Sequence, residues 1–497
     1  MDNKFLNGLT DATNFTLTAN GGLAHKTTKS MLLDMFATGA AYRKRTDEDC
    51  ILLFKNAYTE DPSRALKCLF YIRDAREGQG ERRYFRVVVK WLANYDTNAV
   101  RRNLENIPYF GRWDDLYCLF GTPLEKEMLE FITKQLALDV MCNTPSLLAK
   151  WLPSENTSSM KTRALATKIR KYLDWSHKQY RKTLSILRAR INVLERLMSA
   201  GRWDEIEFDK IPSKAGFKYR NAFARRDIIK AKYEAFAKST ETTVNAKTLY
   251  PYECVAEARK LRWDVGLQDT NRLMINKYWD NLENYFNDAV FNGMAVVDVS
   301  GSMFGSDAAA PINVSISLGL YCAEKAKGPF ANHFLTFSAA PNLVKVEGVD
   351  FCDKVKRMGG AEWGMNTNLE ACFDLLLDTA IRNGCSQEEL PENLLVISDM
   401  QIDAARSGWG MRGHSIAPVD TMMETMRKKW AAHGYQLPRL VYWNVNAGGG
   451  AKFLDNDPNV SYISGFSPTI FQQLMSGKTG YELMLEVLDS ERYAIIK

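Results

Sequence analysis

The sequence lacks the segments from which membrane-spanning and secreted proteins are recognised. No apolar run approaches the ~18 residues that a membrane-spanning helix needs. The first residues, MDNKFLNGLT, have neither the basic start nor the apolar core of a secretory signal. We therefore expect a cytoplasmic protein that does not act at a membrane.

Cysteines are present, but not in the spacing of a disulfide framework or a zinc site. Nine of them are scattered singly between Cys50 and Cys385, and no two form a CxxC pair. An odd number of isolated cysteines argues against both kinds of site and fits a reducing compartment. The remaining composition, 46% hydrophobic and 25% charged, is that of a globular chain. Its length predicts about two to four domains.

The net charge of +6 conceals a strongly basic stretch. Between Lys150 and Lys232 there are 21 lysines and arginines against eight acidic residues, so this stretch carries +13 and the rest of the chain is net acidic. Aromatic residues from Trp151 to Phe223 are interleaved with these cations. Cations neutralise RNA phosphates, and aromatic rings stack on unpaired bases. The alternative is a solvated basic helical surface whose aromatic residues belong to the core.

The sequence pattern divides the chain near residue 290. Residues 1–20 are polar and indicate a loosely ordered arm. Residues 21–285 show the three- and four-residue apolar spacing of helices. Within residues 286–497, short apolar strands alternate with helices. The predicted fold is therefore an α-helical module followed by a doubly wound parallel sheet with helices on both faces. In the basic stretch, helices are expected near residues 161–173, 178–199 and 225–238.

One six-residue pattern occurs twice in the helical half. Residues 111–116 read GRWDDL, and residues 201–206 read GRWDEI. Such an echo is compatible with stacked helical repeats, but two short copies are equally compatible with a recurrent turn. Both interpretations stay open on the sequence.

Oxygen-bearing side chains follow two predicted strands and lie in a loop that opens a predicted helix, at the carboxyl edge where ligands of such sheets bind. Those that could meet there are Asp298, Ser300, Ser302, Thr367 and Asp399. The set offers only oxygen donors, including two carboxylates, which suits a hard divalent ion such as Mg²⁺. The alternative is that these side chains cap helices and bind no ion.

The same residues resemble the metal-ion-dependent adhesion site (MIDAS) of von Willebrand factor A domains. The family pattern of Asp-x-Ser-x-Ser, then Thr, then Asp is present in order at residues 298–302, Thr367 and Asp399. The resemblance implies that the ion performs no chemistry and instead holds an acidic or other anionic group of a partner protein. Two carboxylates and hydroxyls without a base are poorly suited to activating water, so we do not expect an enzyme.

The helical half resembles the TROVE-type, HEAT-like repeat module of the Ro autoantigen family, in which a von Willebrand factor A domain also follows. The segments that carry this resemblance are Asp61-Pro62, residues 69–74 (LFYIRD), residues 78–83 (GQGERR) and residues 461–466 (SYISGF). In detail the chain is most similar to a Ro-like branch found in phages, bacteria and eukaryotes. The segments shared with that branch are Leu23-Ala24, Thr27-Thr28 and residues 212–215 (PSKA).

The Ro resemblance implies a ribonucleoprotein component that holds small noncoding or single-stranded RNA. The cations expected to contact its phosphates are Arg163, Lys168, Arg170, Lys171, Arg181, Lys182, Arg188 and Arg190. The alternative is a metal-dependent protein–protein assembly module that binds no RNA. For Arg73, Asp74 and Arg76, we expect an ion network that links helices rather than a ligand surface.

Overall fold

The N-terminal part of the protein is helical apart from one short hairpin, β1 (Phe15–Leu17) and β2 (Leu23–His25). The computed structural model describes residues 14–17, 23–286, 290–337, 340–359, 369–399, 422–446, 460–466, 471 and 478–497. The helices of this part are α1 (Met31–Thr38), α2 (Asp47–Glu60), α3 (Pro62–Arg73), α4 (Arg83–Tyr95), α5 (Thr97–Arg102), α6 (Asn106–Phe110), α7 (Glu125–Met141), α8 (Leu148–Trp151), α9 (Met160–Tyr172), α10 (His177–Arg190), α11 (Leu194–Ser199), α12 (Ser213–Arg225), α13 (Asp227–Lys238), α14 (Pro251–Ala258) and α15 (Thr270–Asp280).

Helix starts in this part follow the capping chemistry of the sequence. Asp61 accepts a hydrogen bond from the backbone N–H of Arg64 at 2.9 Å, with Pro62 in the first turn of α3. Ser176 and Gln179 form a capping box that begins α10. The single helix expected over residues 178–199 is wrong, since α10 ends at Arg190 and α11 begins at Leu194. Asn192 between them has a φ of 50°, a left-handed conformation that interrupts a helix.

The C-terminal part is built on a six-stranded, mostly parallel sheet. Its strands are β3 (Gly293–Asp298), β4 (His333–Phe337), β5 (Leu343–Lys345), β6 (Asn393–Ser398), β7 (Arg439–Asn444) and β8 (Val460–Ser464). Their order across the sheet is β5-β4-β3-β6-β7-β8. Its helices are α16 (Pro311–Lys325), α17 (Phe351–Gly359), α18 (Leu369–Asn383), α19 (Met422–Ala432) and α20 (Gly480–Leu488). The coarse prediction of a helical region followed by a mostly parallel sheet is confirmed.

One edge of the sheet departs from the fully parallel expectation. Strand β5 pairs with β4 in the antiparallel sense, whereas the other neighbouring strands are parallel. Only residues 338–342 connect the two strands. A connection this short permits a hairpin but not the crossover that a parallel neighbour requires.

Both faces of the sheet are covered, and one of them shares its core with the helical part. On that face, Val297 and Val441 pack in one cluster with Val255 of α14 and Trp279 of α15. On the other face, Val296 belongs to a cluster that includes residues of α18 and α19. Burial on both faces explains why the strands read as continuous apolar runs in the sequence.

The end of the chain returns to the first helices. Leu488 of α20 and Tyr493 of the following 3₁₀ helix lie in the core formed by helices α1 to α10. Arg492 Nη2 donates to Asp74 Oδ1 at 2.9 Å, and the Tyr493 hydroxyl donates to Asp74 Oδ2 at 3.1 Å. The last residues of the sequence therefore complete the core of the N-terminal part.

The described residues bear on two features of the sequence, the lack of apolar runs and the scattered cysteines. Within them, no helix combines the length and the apolar character needed to cross a membrane. All nine cysteines lie among the described residues, each with a free thiol, and six are buried. Burial raises the pKa of the Cys50 thiol to about 11, which keeps it protonated at neutral pH.

Candidate metal site and nucleic-acid interface

Asp298, the last residue of β3, is held in a fixed orientation at the carboxyl edge of the sheet. Its side chain is buried, with 0% exposure. The backbone N–H of Ser300 donates to Asp298 Oδ1 at 2.9 Å, and the Ser398 hydroxyl donates to Asp298 Oδ2. These bonds orient the carboxylate and leave lone pairs for a further ligand.

The neighbouring strand brings the second carboxylate to the same edge. Strands β3 and β6 are parallel, with Val297 opposite Ile397. The next positions, Asp298 and Ser398, therefore lie side by side, and Asp399 follows directly. Asp399 is also buried, with 0% exposure.

Two hydroxyls of the predicted set lie beside these carboxylates along the chain. The hydroxyl oxygens of Ser300 and Ser302 are 3.1 Å apart. Ser300 is buried, whereas Ser302 is exposed. Thr367, the fifth member of the predicted set, lies outside the described residues. The described members thus combine two buried carboxylates and a buried hydroxyl with one exposed serine, Ser302.

The electrostatics of this edge favour a bound cation. The pKa of Asp298 is raised to about 6, chiefly by burial and also by the charge of Asp399, while hydrogen bonds from Ser398 and Ser300 oppose the shift. Among the described residues, no group of three His, Cys, Asp or Glu side chains is placed to hold a metal ion. A metal ion at this edge would therefore need hydroxyl ligands as well, and oxygen donors of this kind fit Mg²⁺.

Ser398 is a residue that the sequence analysis did not assign to the site. Its hydroxyl is buried and donates to Asp298, so it positions the carboxylate. Its place could have been predicted from parallel pairing of the two strands, because the last residue of β6 then lies beside the last residue of β3.

Six of the eight predicted RNA-contacting cations are exposed on helices α9 and α10. They are Arg163, Lys168, Lys171, Arg181, Lys182 and Arg190. Lys168 Nζ lies 3.6 Å from a carboxylate oxygen of Glu125, an exposed ion pair that contributes little to stability. Arg181 Nε makes one long hydrogen bond, 3.4 Å, to the carbonyl of His177. These side chains are accessible to an anionic ligand.

Three of the eight predicted cations, including the exposed Arg190, make short hydrogen bonds to other groups of the protein. Arg170 Nε donates to Glu155 Oε1 at 2.8 Å. Arg188 donates to the carbonyls of Ala149 and Leu152, each at 2.8 Å, and to the Ser154 hydroxyl at 2.9 Å. Arg190 Nη1 donates to two carbonyls, that of Val140 at the end of α7 and that of Cys142 just beyond it. These guanidinium groups fasten α9 and α10 to neighbouring segments.

Most of the aromatic residues in the basic stretch belong to the core. The buried ones are Tyr180, Trp203, Phe208, Phe217 and Phe223. Trp151 is partly exposed, and the Arg112 guanidinium lies 3.9 Å from the centre of its ring. Trp151 is therefore one of the few aromatics of this stretch that a ligand can reach.

Arg73, Asp74 and Arg76 form a network of ion pairs and hydrogen bonds that links helices, as the sequence analysis predicts. Arg73 Nε donates to Asp115 Oδ2 at 2.8 Å, and both side chains are buried. Asp74 binds the C-terminal Arg492, as described above. Arg76 Nη1 donates to the carbonyl of Tyr109 at 2.7 Å. The network joins α3, α6 and the end of the chain.

The two copies of the six-residue pattern differ in conformation. Residues 113–119 form a 3₁₀ helix, whereas no helix begins at Trp203. Gly201 has a positive φ of 73°, while Gly111 has a φ of −108°. What the copies share is an apolar anchor, because Leu116 and Ile206 are both buried.

Family comparisons cover both parts of the chain. The model described as "Domain of unknown function (DUF2828)" matches residues 18–137 and 119–289, more than half of the sequence. The chain belongs to the DUF2828 family. In this DUF2828 family member, a second model, "Domain of unknown function (DUF7788)", matches residues 292–492. The two matched regions meet where the helical part gives way to the sheet.

Two further proteins are similar to this DUF2828 family member over nearly the whole chain. "Uncharacterized protein L728" of Acanthamoeba polyphaga mimivirus is 29% identical over 522 residues, which cover 96% of this chain and 87% of that protein. The crystal structure of the Deinococcus radiodurans RO (RSR) protein matches 93% of this chain and 99% of its own, with 12% identity and a TM-score of 0.36. A TM-score this low does not establish a shared fold.

Proposed function

We propose that this DUF2828 family protein is a non-catalytic RNA-binding protein whose C-terminal part is a von Willebrand factor A-type domain with a divalent metal site. The observation that carries the RNA proposal is the group of exposed cations on α9 and α10. Lys171 and Lys182 are exposed and form no ion pair with any described residue. Unpaired cations on adjacent helices attract a polyanion and release its counterions on binding.

The choice of RNA as the polyanion follows from the motif between Arg73 and Arg83, which resembles the corresponding segment of the Ro family, whose members hold small noncoding RNA. In this chain Arg73, Asp74 and Arg76 belong to the network described above, so we assign the motif a structural role and no contact with RNA. The contacts themselves are assigned to α9 and α10.

Co-purification tests the RNA proposal. The full chain and the Lys171→Glu/Lys182→Glu variant are purified from the same cells, and the bound RNA is sequenced. The matched control is Lys55→Glu/Lys90→Glu, since these lysines are exposed on α2 and α4 and the charge change is identical. We expect a defined set of RNAs with the unchanged protein and the control, and its loss with the Lys171/Lys182 variant. Equal RNA in all three preparations would contradict the assignment of the surface.

We also propose that a divalent ion, most simply Mg²⁺, is held at the carboxyl edge of the sheet. The residues that would hold it are Asp298, Ser300, Ser302, Thr367 and Asp399. Support comes from the burial of two carboxylates at the same edge of the sheet, which is costly unless a cation compensates their charge. When bound, the ion would supply an open coordination position for an anionic group of a partner.

Titration with Mg²⁺ tests the metal proposal. Calorimetry on the full chain is expected to show one site that is lost in Asp298→Ala. Asp307→Ala is the matched control, because Asp307 is exposed nearby in sequence and pairs with Lys44 at 3.1 Å. Heat of binding that persists in Asp298→Ala would contradict the site.

A metal-dependent protein–protein module that binds no RNA is the second candidate. The observation in its favour is the exposed surface that follows Asp298, where Ser302 is exposed and Phe304 is 59% exposed. Under this alternative, Asp298→Ala or chelation abolishes partner binding. Under the RNA proposal, the same change leaves RNA binding intact, because α9 and α10 carry the contacts.

A further inference from the structure

A cavity of about 820 Å³ lies in the basic stretch, on the side of α10 that does not carry Lys182. It is lined by α8 and the segment that follows it, by α10 and α11, and by Lys218 of α12. Its volume is in the range of pockets that bind small ligands or single groups of larger ones. Arg181, one of the exposed cations described above, also lines it, whereas Lys171 and Lys182 do not.

The lining of the cavity is strongly basic. Five cations contribute to it, namely Lys150, Arg181, Arg188, Arg196 and Lys218, against two carboxylates. One carboxylate, Glu155, is already paired with Arg170 at 2.8 Å. Arg196 forms no ion pair with any described residue. The excess positive charge indicates a phosphate-bearing ligand.

The second carboxylate of the lining, Glu195, favours a ligand that carries hydrogen-bond donors as well as phosphate. The Tyr219 hydroxyl donates to Glu195 Oε1 at 3.1 Å. Glu195 Oε2 is buried and accepts no hydrogen bond from any described residue. A buried carboxylate oxygen without a donor is costly, so a ligand with N–H groups would be favoured beside it.

The wall of the cavity is rigidly held. Arg188 donates to three acceptors in residues 149–154, and the buried Tyr180 hydroxyl donates to the carbonyl of Pro153 at 2.8 Å. This segment carries Trp151, which also lines the cavity. Arg188 is thus a positioning residue. Trp151 is an aromatic side chain that lines the cavity, with the Arg112 guanidinium 3.9 Å from the centre of its ring.

We propose that this cavity receives one unpaired nucleotide of the bound RNA, with a preference for guanine. Arg181, Arg196 and Lys218 contact its phosphate, Trp151 contacts the base, and Glu195 accepts hydrogen bonds from the Watson–Crick edge. Guanine presents two adjacent N–H donors on that edge, whereas uracil presents one N–H between two carbonyls that a carboxylate repels. This inference rests on the proposed RNA-binding function and names the part of the RNA that is read.

The test compares single-stranded oligonucleotides that consist of uridine with those that carry one central guanosine, bound to the full chain. We expect the guanosine to strengthen binding about tenfold. Glu195→Gln, which preserves size, is expected to bring the ratio of the two affinities close to one. Glu205→Gln is the control, since Glu205 is an exposed carboxylate paired with Arg202 in the next loop. Arg196→Ala is expected to weaken both oligonucleotides alike, since it contacts phosphate.

The outcomes separate this inference from the proposed function. Equal affinity for the two oligonucleotides, with RNA binding otherwise intact and sensitive to Lys171→Glu/Lys182→Glu, would overturn the guanine site alone. Absence of RNA binding to the full chain would overturn both. Guanosine monophosphate and uridine monophosphate test whether the cavity binds a free nucleotide instead of a nucleotide of an RNA chain. If the protein discriminates between these mononucleotides but not between the oligonucleotides, the cavity is assigned to a free nucleotide and the proposal is overturned. Circular dichroism of Glu195→Gln verifies that the variant is folded.

Discussion

At the scale of single residues, burial changes the pKa of a carboxyl group at the edge of the sheet. Asp298 has an ordinary carboxyl pKa of 3.8 that burial raises to about 6 in the folded chain. A raised pKa means that the folded protein binds a proton more tightly than the unfolded chain does. The free energy of unfolding of the metal-free protein therefore decreases as the pH rises from 3.8 to about 6.

The first prediction concerns this pH dependence. In EDTA, the change from protonated to charged Asp298 is expected to lower the free energy of unfolding by on the order of 3 kcal/mol between pH ~4 and ~7. Excess Mg²⁺ is expected to remove that decrease, because the ion stabilises the charged carboxylate. Chemical denaturation of the unchanged protein and of Asp298→Asn measures the difference, since the other titrating groups are common to both. Identical pH dependence of the two proteins would contradict the prediction.

At the scale of elements, much of the sheet could be predicted from the sequence. The strands around Val297 and Ile397 are short apolar runs that end in Asp298 and Ser398, and such runs identify buried parallel strands. The break between α10 and α11 could not be predicted, because Asn192 is compatible with both a helix and a left-handed turn. Periodicity alone does not show which neighbour a helix will meet.

The roles of individual cations on these helices were equally beyond the sequence. Arg181 and Arg188 have the same charge and lie on the same helix, yet Arg181 is exposed and Arg188 donates to three acceptors. Those acceptors belong to residues 149–154, which pack against α10 only in the folded chain. The same limitation applies to the cavity, which is formed by segments well separated along the sequence.

The second prediction concerns the segment after α20. Deleting residues 490–497 removes Arg492 and Tyr493 and leaves Asp74, which is 0% exposed, without these partners. An uncompensated buried charge typically costs about 3–5 kcal/mol. Amide hydrogen exchange in α3 is expected to become faster by the corresponding factor. Ile495→Ala is the control, because Ile495 is 45% exposed and its truncation leaves the Asp74 contacts in place. Unchanged exchange after the deletion would contradict the role of the segment.

At the scale of the whole molecule, the helical part and the sheet are joined by polar contacts as well as by a common core. Arg272 of α15 binds Asp350 through two hydrogen bonds, at 2.8 and 2.9 Å, and Asn276 donates to the same carboxylate at 2.9 Å. Arg259 Nη1 donates to Asn313 Oδ1 of α16 at 2.6 Å. Such contacts couple the two parts, so we expect them to unfold together.

The third prediction concerns this junction. Burial opposes the charge of Asp350, but hydrogen bonds from Arg272, Asn276 and the backbone outweigh it and lower the pKa of Asp350 below 3.8. Asp350→Asn is expected to cost about 2 kcal/mol at pH ~7. Because the folded pKa is depressed, the stabilisation by Asp350 is present above pH 3.8 and lost as the pH falls below it. Thermal unfolding at neutral and acidic pH checks this, and a cost that does not shrink in acid would contradict it.

The central claim is that exposed cations on α9 and α10 bind RNA, and the dependence of RNA affinity on salt tests it most directly. The affinity of the full chain for a single-stranded RNA is measured between about 50 and 200 mM KCl. We predict a linear decrease of the logarithm of the affinity with the logarithm of the salt concentration. Lys171→Glu/Lys182→Glu is predicted to make that slope shallower by at least about 1.4, the contribution of two phosphate contacts. An affinity that does not change with salt, or a slope that the variant leaves unaltered, would contradict the account.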